Sequence, residues 1–325
     1  MGERRDLITD PVRALDAIET EVQKSIYIDD QHAEIISIAA GLAVDSALLF
    51  YAPPGLGKTK LATTVATVVG GTFGRAQGTP DLMSSDITGS EVVDLVTREP
   101  KFRKGPIFNN VFLVDDWNRA GQREMAALVQ AMAEQEVTVG NDTHDLPENQ
   151  LVIATQNSQS FKEGTRPTPT AVLDRFAASI EFPRLEEGEW TTIRNKKLYV
   201  PKQRVDISVI GPKIRERAGD IYLPESMSDR AEDIILDIRE HKDVEAEDTF
   251  LDGYRPFDQM VRFAQARALK RGKERVSAAD LHVVGRFILR HRVVVDPEYL
   301  EKKGTFDAIY DGIVESLPPI DEDAE

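Results

Sequence analysis

The stretch APPGLGKTKLATTVATVV, residues 52–69, follows directly on the apolar run ALLFY at 47–51. Read in order, this is a short buried strand, a turn-rich Gly/Pro loop and the opening of a helix. Backbone N–H groups in such a loop, together with the N-terminus of the helix behind it, form a cradle for phosphate groups. On that reading Pro54, Gly55, Leu56, Gly57, Lys58, Thr59 and Lys60 bind a nucleotide, with Lys58 on the β/γ-phosphates and the Thr59 hydroxyl on Mg²⁺. The P-loop pattern has Gly where this chain has Ala52, and the bland alternative is a Gly/Pro turn with a chance Lys-Thr. The strand before it and the helix after it supply the context that the nucleotide reading needs.

Working outward, helical spacing runs from Asp16 to Val44, and further apolar runs occur at VFLV (111–114) and LVIAT (151–155), with the helical segment Arg123–Gln135 between them. Strands alternating with helices predict an α/β fold, a parallel sheet with helices on both faces. Two polar-tipped stretches, 91–107 and 136–147, read as hairpins projecting from that sheet. After EFPRLEEGEW (181–190) the pattern turns helical, over Arg230–Glu240, Pro256–Arg271 and Ala278–Arg292, with SAAD at 277–280 as a capping start. The expected division is an α/β domain over 1–185 and a smaller all-α domain over 186–325, ending in a solvated acidic tail.

Composition excludes several classes. With no cysteine and five scattered histidines, thiolate chemistry and zinc sites drop out. A net charge of −16 disfavours a protein whose main work is holding nucleic acid. No run reaches the ~18 apolar residues of a membrane span, and the N-terminus lacks the apolar stretch of a signal peptide, so the cytoplasm is the expected compartment.

VFLVDDWNRA (111–120) ends a buried-looking strand in two carboxylates. A Mg²⁺–nucleotide site needs such an acid at the end of a strand near the P-loop. Asp115 is read as the metal-side acid and Asp116 as the group that orients or deprotonates the attacking water; the alternative keeps Asp116 as support for Asp115 in the metal's outer shell. LVIAT ends in Gln156-Asn157, which places Asn157 as a water-positioning amide, or else as a cap for the next turn.

The order of parts then becomes recognisable: the P-loop, TPDLMSSDITGSE (79–91), FRKGPI (102–107), VDDWNRA, the second hairpin, ATQN (154–157), EGTRPTPTAVLDRF (163–176), helices and LRHRVVV (289–295). Over nearly its whole length the chain resembles the MoxR family of AAA+ ATPases. The resemblance implies an AAA+ P-loop domain followed by a helical lid, with ATP and Mg²⁺ bound and ATP hydrolysed in a homo-oligomeric ring, a hexamer, that remodels a protein client. It makes the two hairpins pore-facing inserts and Arg175 in LDRF an arginine finger serving a neighbouring subunit; the plainer alternative pairs Arg175 with Asp174. A von Willebrand factor A domain partner is also implied.

Three positions depart from the family pattern. Asp116 replaces Glu and is one methylene shorter, with Trp117 after it where Ile is usual, which implies slower turnover. Arg255-Pro256-Phe257 replaces Ser-Pro-Arg, so that Arg255 either reaches the γ-phosphate as a sensor or only flanks the lid helix. Ala52 replaces the first P-loop Gly. Competing functions are a nucleotide-binding scaffold with little turnover, and a gas-vesicle or metal-chelatase-type assembly motor.

Overall fold

The computed structural model describes residues 7–43, 46–51, 57–96, 98–140, 142–156, 168, 170–182, 188–245, 249–302 and 304–320. The helical spacing from Asp16 to Val44 resolves into two helices, α1 (Pro11–Ser25) and α2 (Asp30–Leu42). Ile26 takes an extended backbone and stops the first. The Asp29 carboxylate starts the second by accepting from the His32 amide at 2.9 Å.

There follow β1 (Leu48–Tyr51), α3 (Lys58–Val69), β2 (Phe73–Gln77), α4 (Ser84–Thr88), a hairpin of β3 (Gly89–Val93) and β4 (Pro100–Lys104), and β5 (Val111–Asp115). After these come α5 (Gln122–Glu134), a second hairpin of β6 (Glu136–Val139) and β7 (Asp142–Asp145), β8 (Leu151–Gln156), α6 (Thr170–Leu173) and β9 (Ala178–Glu181). Five strands form one parallel sheet in the order β2-β5-β8-β1-β9. Both expected hairpins are present, as separate two-stranded antiparallel pairs.

Alternation along the strands sorts side chains to two faces. Leu48, Phe50, Leu113, Ile153 and Ile180 face α1, α2 and α3, whereas Leu49, Phe112, Val114, Val152 and Ala154 face Trp117, Leu128 and Phe176. Burial on both faces is what a parallel sheet between helical layers requires.

Beyond β9 the described residues hold helices α7 (Trp190–Leu198), α8 (Ile207–Gly219), α9 (Glu225–Arg239), α10 (Tyr254–Lys270), α11 (Ala278–Leu289), α12 (Pro297–Glu301) and α13 (Phe306–Ser316). α8 and α10 pack against α1 and α2, so one apolar core runs from the sheet into the C-terminal helices. Among the described residues no helix is long and apolar enough to cross a membrane.

A buried carboxylate ties the N-terminal helix to the segment that leads into α8. Glu21 on α1, 1% exposed, accepts from Arg204 Nε at 2.9 Å and Nη2 at 2.7 Å, from the Tyr199 hydroxyl at 2.8 Å and from the Lys202 amide at 3.2 Å. Burial alone would raise its pKa, but the bonds from Arg204, Tyr199 and Lys202 outweigh it and hold the carboxyl below its ordinary 4.5. Glu21→Ala should therefore lower stability by about 2 kcal/mol in urea unfolding at neutral pH. Because the folded group titrates below the unfolded one, this difference is complete above pH 4.5 and fades as the pH falls through the folded pKa.

Candidate nucleotide-binding site

Gly57 enters α3 with φ +93°, a left-handed conformation that glycine adopts without strain, and Lys58 and Thr59 form the first turn of the helix. Pro54, Gly55 and Leu56 lie outside the described residues, as do Ala52 and Asn157. β1 and β5 each pair with β8 on opposite sides, so the start of α3 and the end of β5 meet above the carboxyl edge of the sheet. Lys58 Nζ lies 3.3 Å from Asp116 Oδ1, and the Thr59 hydroxyl lies 3.2 Å from Asp115 Oδ2.

The two adjacent carboxylates have separate partners. Asp115 is buried; its Oδ1 accepts from the Thr155 hydroxyl at 2.7 Å and its Oδ2 from Arg75 Nη2 at 2.8 Å. Burial favours its neutral form, yet the bonds from Thr155 and Arg75 and the charge of Lys58 lower its pKa. Asp115 is thus anionic at neutral pH. Asp116 takes a left-handed backbone at φ +50°, which Asp tolerates better than most residues, and its Oδ2 accepts from Gln77 Nε2 at 3.3 Å.

Trp117 explains the turn. Its ring is fully buried, meets Phe176 edge-on at 5.4 Å between centroids, and donates from Nε1 to Gln156 Oε1 at 3.4 Å. Anchoring that ring in the core swings the Asp116 side chain toward Lys58. Gly78 completes the arrangement, because a Cβ there would stand 2.3 Å from the Asp116 carbonyl oxygen.

Thr59 Oγ1 and Asp115 Oδ2 are hard oxygen donors that converge at the start of α3, a set that fits Mg²⁺, which commonly takes one carboxylate, a hydroxyl, phosphate oxygens and water. Such an ion would neutralise phosphate charge there. The Lys60 side chain is committed elsewhere: its ammonium receives no phosphate-facing position and instead donates to the carbonyls of Lys196 and Lys197 at 2.7 Å and of Tyr199 at 3.0 Å. It caps the end of α7, so any part of Lys60 in phosphate binding falls to its backbone amide.

Arg175 and Arg255 sit at the other edge of the sheet. With Ser46, Ala47, Gln150 and Val152, which precede or begin β1 and β8, they line one pocket. Asp174 binds Arg255, and it accepts from Arg292 Nε at 3.2 Å, so its carboxylate is paired with these two residues rather than with Arg175. Arg255 therefore shares its surroundings with the amino ends of β1 and β8, whereas Lys58 and Asp116 meet beyond their carboxyl ends. Arg292 is wholly buried and also donates to the carbonyls of Asp174 at 3.0 Å and Phe176 at 2.9 Å and to Gln259 Oε1 at 2.6 Å. Burial pushes its pKa down to about 10, against the pull of Asp174, and leaves it charged at neutral pH.

Arg75 and Gln77 lie outside every motif of the sequence, and Thr155 and Arg292 stand within ATQN and LRHRVVV with no role assigned to them there. The alternation of Arg75 and Gln77 beside TPDL, on an edge strand whose odd positions are exposed, is the signal that could have found the first two.

The AAA_3 family model, described as an ATPase family associated with various cellular activities, matches residues 47–178, and an AAA lid domain model matches residues 251–313. Similar proteins include the uncharacterized protein YeaC of Bacillus subtilis, 31% identical over 84% of this chain and 85% of that one. Chaperone MoxR1 of Mycobacterium tuberculosis is 31% identical over 93% of this chain and 79% of its own length. A crystal structure of a candidate ATPase from Cytophaga hutchinsonii superposes with a TM-score of 0.80 at 26% identity, covering 94% of this chain and 95% of that one. The sheet and the helical lid are those of an AAA-type ATPase. The chain belongs to the MoxR family of AAA+ ATPases.

Arg292→Ala removes the central cation of the Asp174 network and leaves buried acceptors without a donor. It should cost about 3 kcal/mol of stability, read as a lowered denaturant midpoint, whereas the same substitution at Arg175 should change stability by less than about 0.5 kcal/mol.

Proposed function

We propose that this chain hydrolyses ATP in a homo-oligomeric ring of six copies and uses the resulting movement to remodel, assemble or mature a protein client. The observation that carries the reading is the convergence of Lys58, Thr59, Asp115 and Asp116 at the carboxyl ends of β1 and β5. In it, Lys58 and the P-loop amides hold the β- and γ-phosphates, and Thr59 and Asp115 hold Mg²⁺. Asp116 orients a water and accepts its proton as the water oxygen bonds to the γ-phosphorus, while the bond to the bridging oxygen breaks and ADP leaves. Asn157 positions the same water.

Arg175 and Arg255 complete the site of a neighbouring copy. Their pocket at the amino edge of the strands, a strand length or on the order of 15 Å from the P-loop edge, supports action across an interface. A guanidinium arriving there stabilises charge on the transferring phosphoryl group and ties hydrolysis to assembly.

The hairpins are the parts that meet the client. Phe102 of β4 stacks on His144 of β7 with ring centroids 4.0 Å apart and planes 11° from parallel, which makes the two hairpins one unit. The first presents Leu95 and Val96 at its tip, 93% and 91% exposed. Action beside a von Willebrand factor A domain partner in the cytoplasm fits this reading, as does the motor of a gas-vesicle or metal-chelatase-type assembly.

The alternative of a scaffold with little turnover draws on the short Asp116 side chain and its engagement by Lys58 and Gln77. Phosphate-release measurements on two substitutions separate the readings. Asp116→Asn should retain ATP binding and ATP-dependent assembly but turn over about a hundredfold more slowly, and Asp116→Glu should be at least as fast as the parent. Turnover of Asp116→Asn within a few-fold of the parent would remove Asp116 as the base.

A further inference from the structure

The metal-side carboxylate carries a cation that the nucleotide chemistry does not require. Arg75, at the middle of edge strand β2, places Nη2 at 2.8 Å from Asp115 Oδ2, and the Thr59 hydroxyl lies 3.2 Å from that same oxygen. The other oxygen, Oδ1, is held by Thr155 at 2.7 Å, and the Asp116 amide donates to the Thr155 hydroxyl at 2.9 Å. The carboxylate is therefore pinned on one side, and the guanidinium faces the side on which Thr59 lies and a divalent cation would be held.

We propose that Arg75 sets the Mg²⁺ dependence of nucleotide binding, by holding its guanidinium on the oxygen of Asp115 that faces Thr59. The proposal rests on the nucleotide site described above. A guanidinium and a divalent cation beside one carboxylate oxygen repel each other and draw on the same lone pairs, so the fixed charge raises the Mg²⁺ concentration needed to fill the site. The same charge offsets Asp115 against an incoming triphosphate, so it favours nucleotide that arrives without metal.

Arg75 is suited to this part because its side chain is 45% exposed. Water can take over its hydrogen bonds as it withdraws, and its charge is not locked in as that of Arg292 is. It is also connected to the second acid: Nη2 donates to Gln77 Oε1 at 2.8 Å, and Gln77 Nε2 donates to Asp116 Oδ2 at 3.3 Å. Withdrawal of Arg75 thus removes one of the bonds that hold the Gln77 amide on Asp116, the other being from Gln77 Nε2 to the Asp115 carbonyl at 3.3 Å. Arg75 acts through Asp115 and Gln77 and is a positioning residue.

The test is binding of a fluorescent ATP analogue to the full chain, titrated with Mg²⁺ and repeated in EDTA. Arg75→Ala should lower the half-saturating Mg²⁺ concentration by about three- to fivefold, the size of a partly exposed charge pair, and should weaken binding in EDTA. Arg75→Lys keeps the charge and should stay within about twofold of the parent on both counts. An unchanged or increased Mg²⁺ requirement in Arg75→Ala, with a native circular dichroism spectrum, would overturn the proposal. Lys58→Ala separates this outcome from failure of the site itself, because it should lose nucleotide at every Mg²⁺ concentration. If Lys58→Ala binds like the parent, the site assignment fails, and the inference about Arg75 fails with it.

Discussion

The pairing of Lys58 with Asp116 and of Thr59 with Asp115 is the constraint on which the rest of the molecule depends. These groups are 58 and 56 residues apart in the chain, and they meet because β8 lies between β1 and β5 and pairs in parallel with both. Parallel pairing brings every strand's carboxyl end to one edge, and the loops that leave that edge share a crevice. An ammonium with little access to solvent is costly without an anion, so the acid that follows β5 serves the fold whatever it contributes to the chemistry.

The opposite edge is organised by a different buried charge. Arg292 fixes the backbone at Asp174 and Phe176 and reaches Gln259 on α10, and Asp174 in turn holds Arg255 at the start of that helix. The start of α10 and the segment that carries Arg175 are consequently tied together by these bonds. His291 reinforces the joint through its Nε2 and the Phe176 carbonyl at 2.9 Å, and burial, aided by the Arg292 charge, holds its pKa well below 6.5, so it contributes as a neutral donor. Separate clusters at the two edges of one sheet are what the proposed sharing of a site between neighbouring copies draws on.

Local chemistry made much of this legible in the sequence. The strand before and the helix after the Gly-rich loop, the acids closing VFLVDD and the strands of both hairpins are signals carried within a few positions, and each of these elements formed where its pattern placed it. Partners set by tertiary structure were not legible. β2 has a short and half-exposed FGRAQ pattern with no periodic apolar run, so only the alternation of Arg75 and Gln77 marks them, and their partners Asp115 and Asp116 are set by the sheet. The Lys60 side chain belongs to a phosphate-binding motif by position, yet it caps α7 across 136 residues of chain. Asp174 stands next to Arg175 in sequence, and the fold gives its carboxylate to Arg255 and Arg292 instead.

The central claim is that a complete catalytic site is shared by two copies of the chain, one supplying Lys58 and Asp116 and the other supplying Arg175. It is tested most directly by mixing Lys58→Ala subunits, which retain Arg175, with Arg175→Ala subunits, which retain the P-loop, and measuring phosphate release across mixing ratios. Each variant alone should be inactive, and the mixture should recover part of the parent rate, with a maximum at intermediate ratios, because some interfaces then join an intact P-loop to an intact finger. Mixed oligomers that form at every ratio and release no phosphate would contradict a site built across the interface.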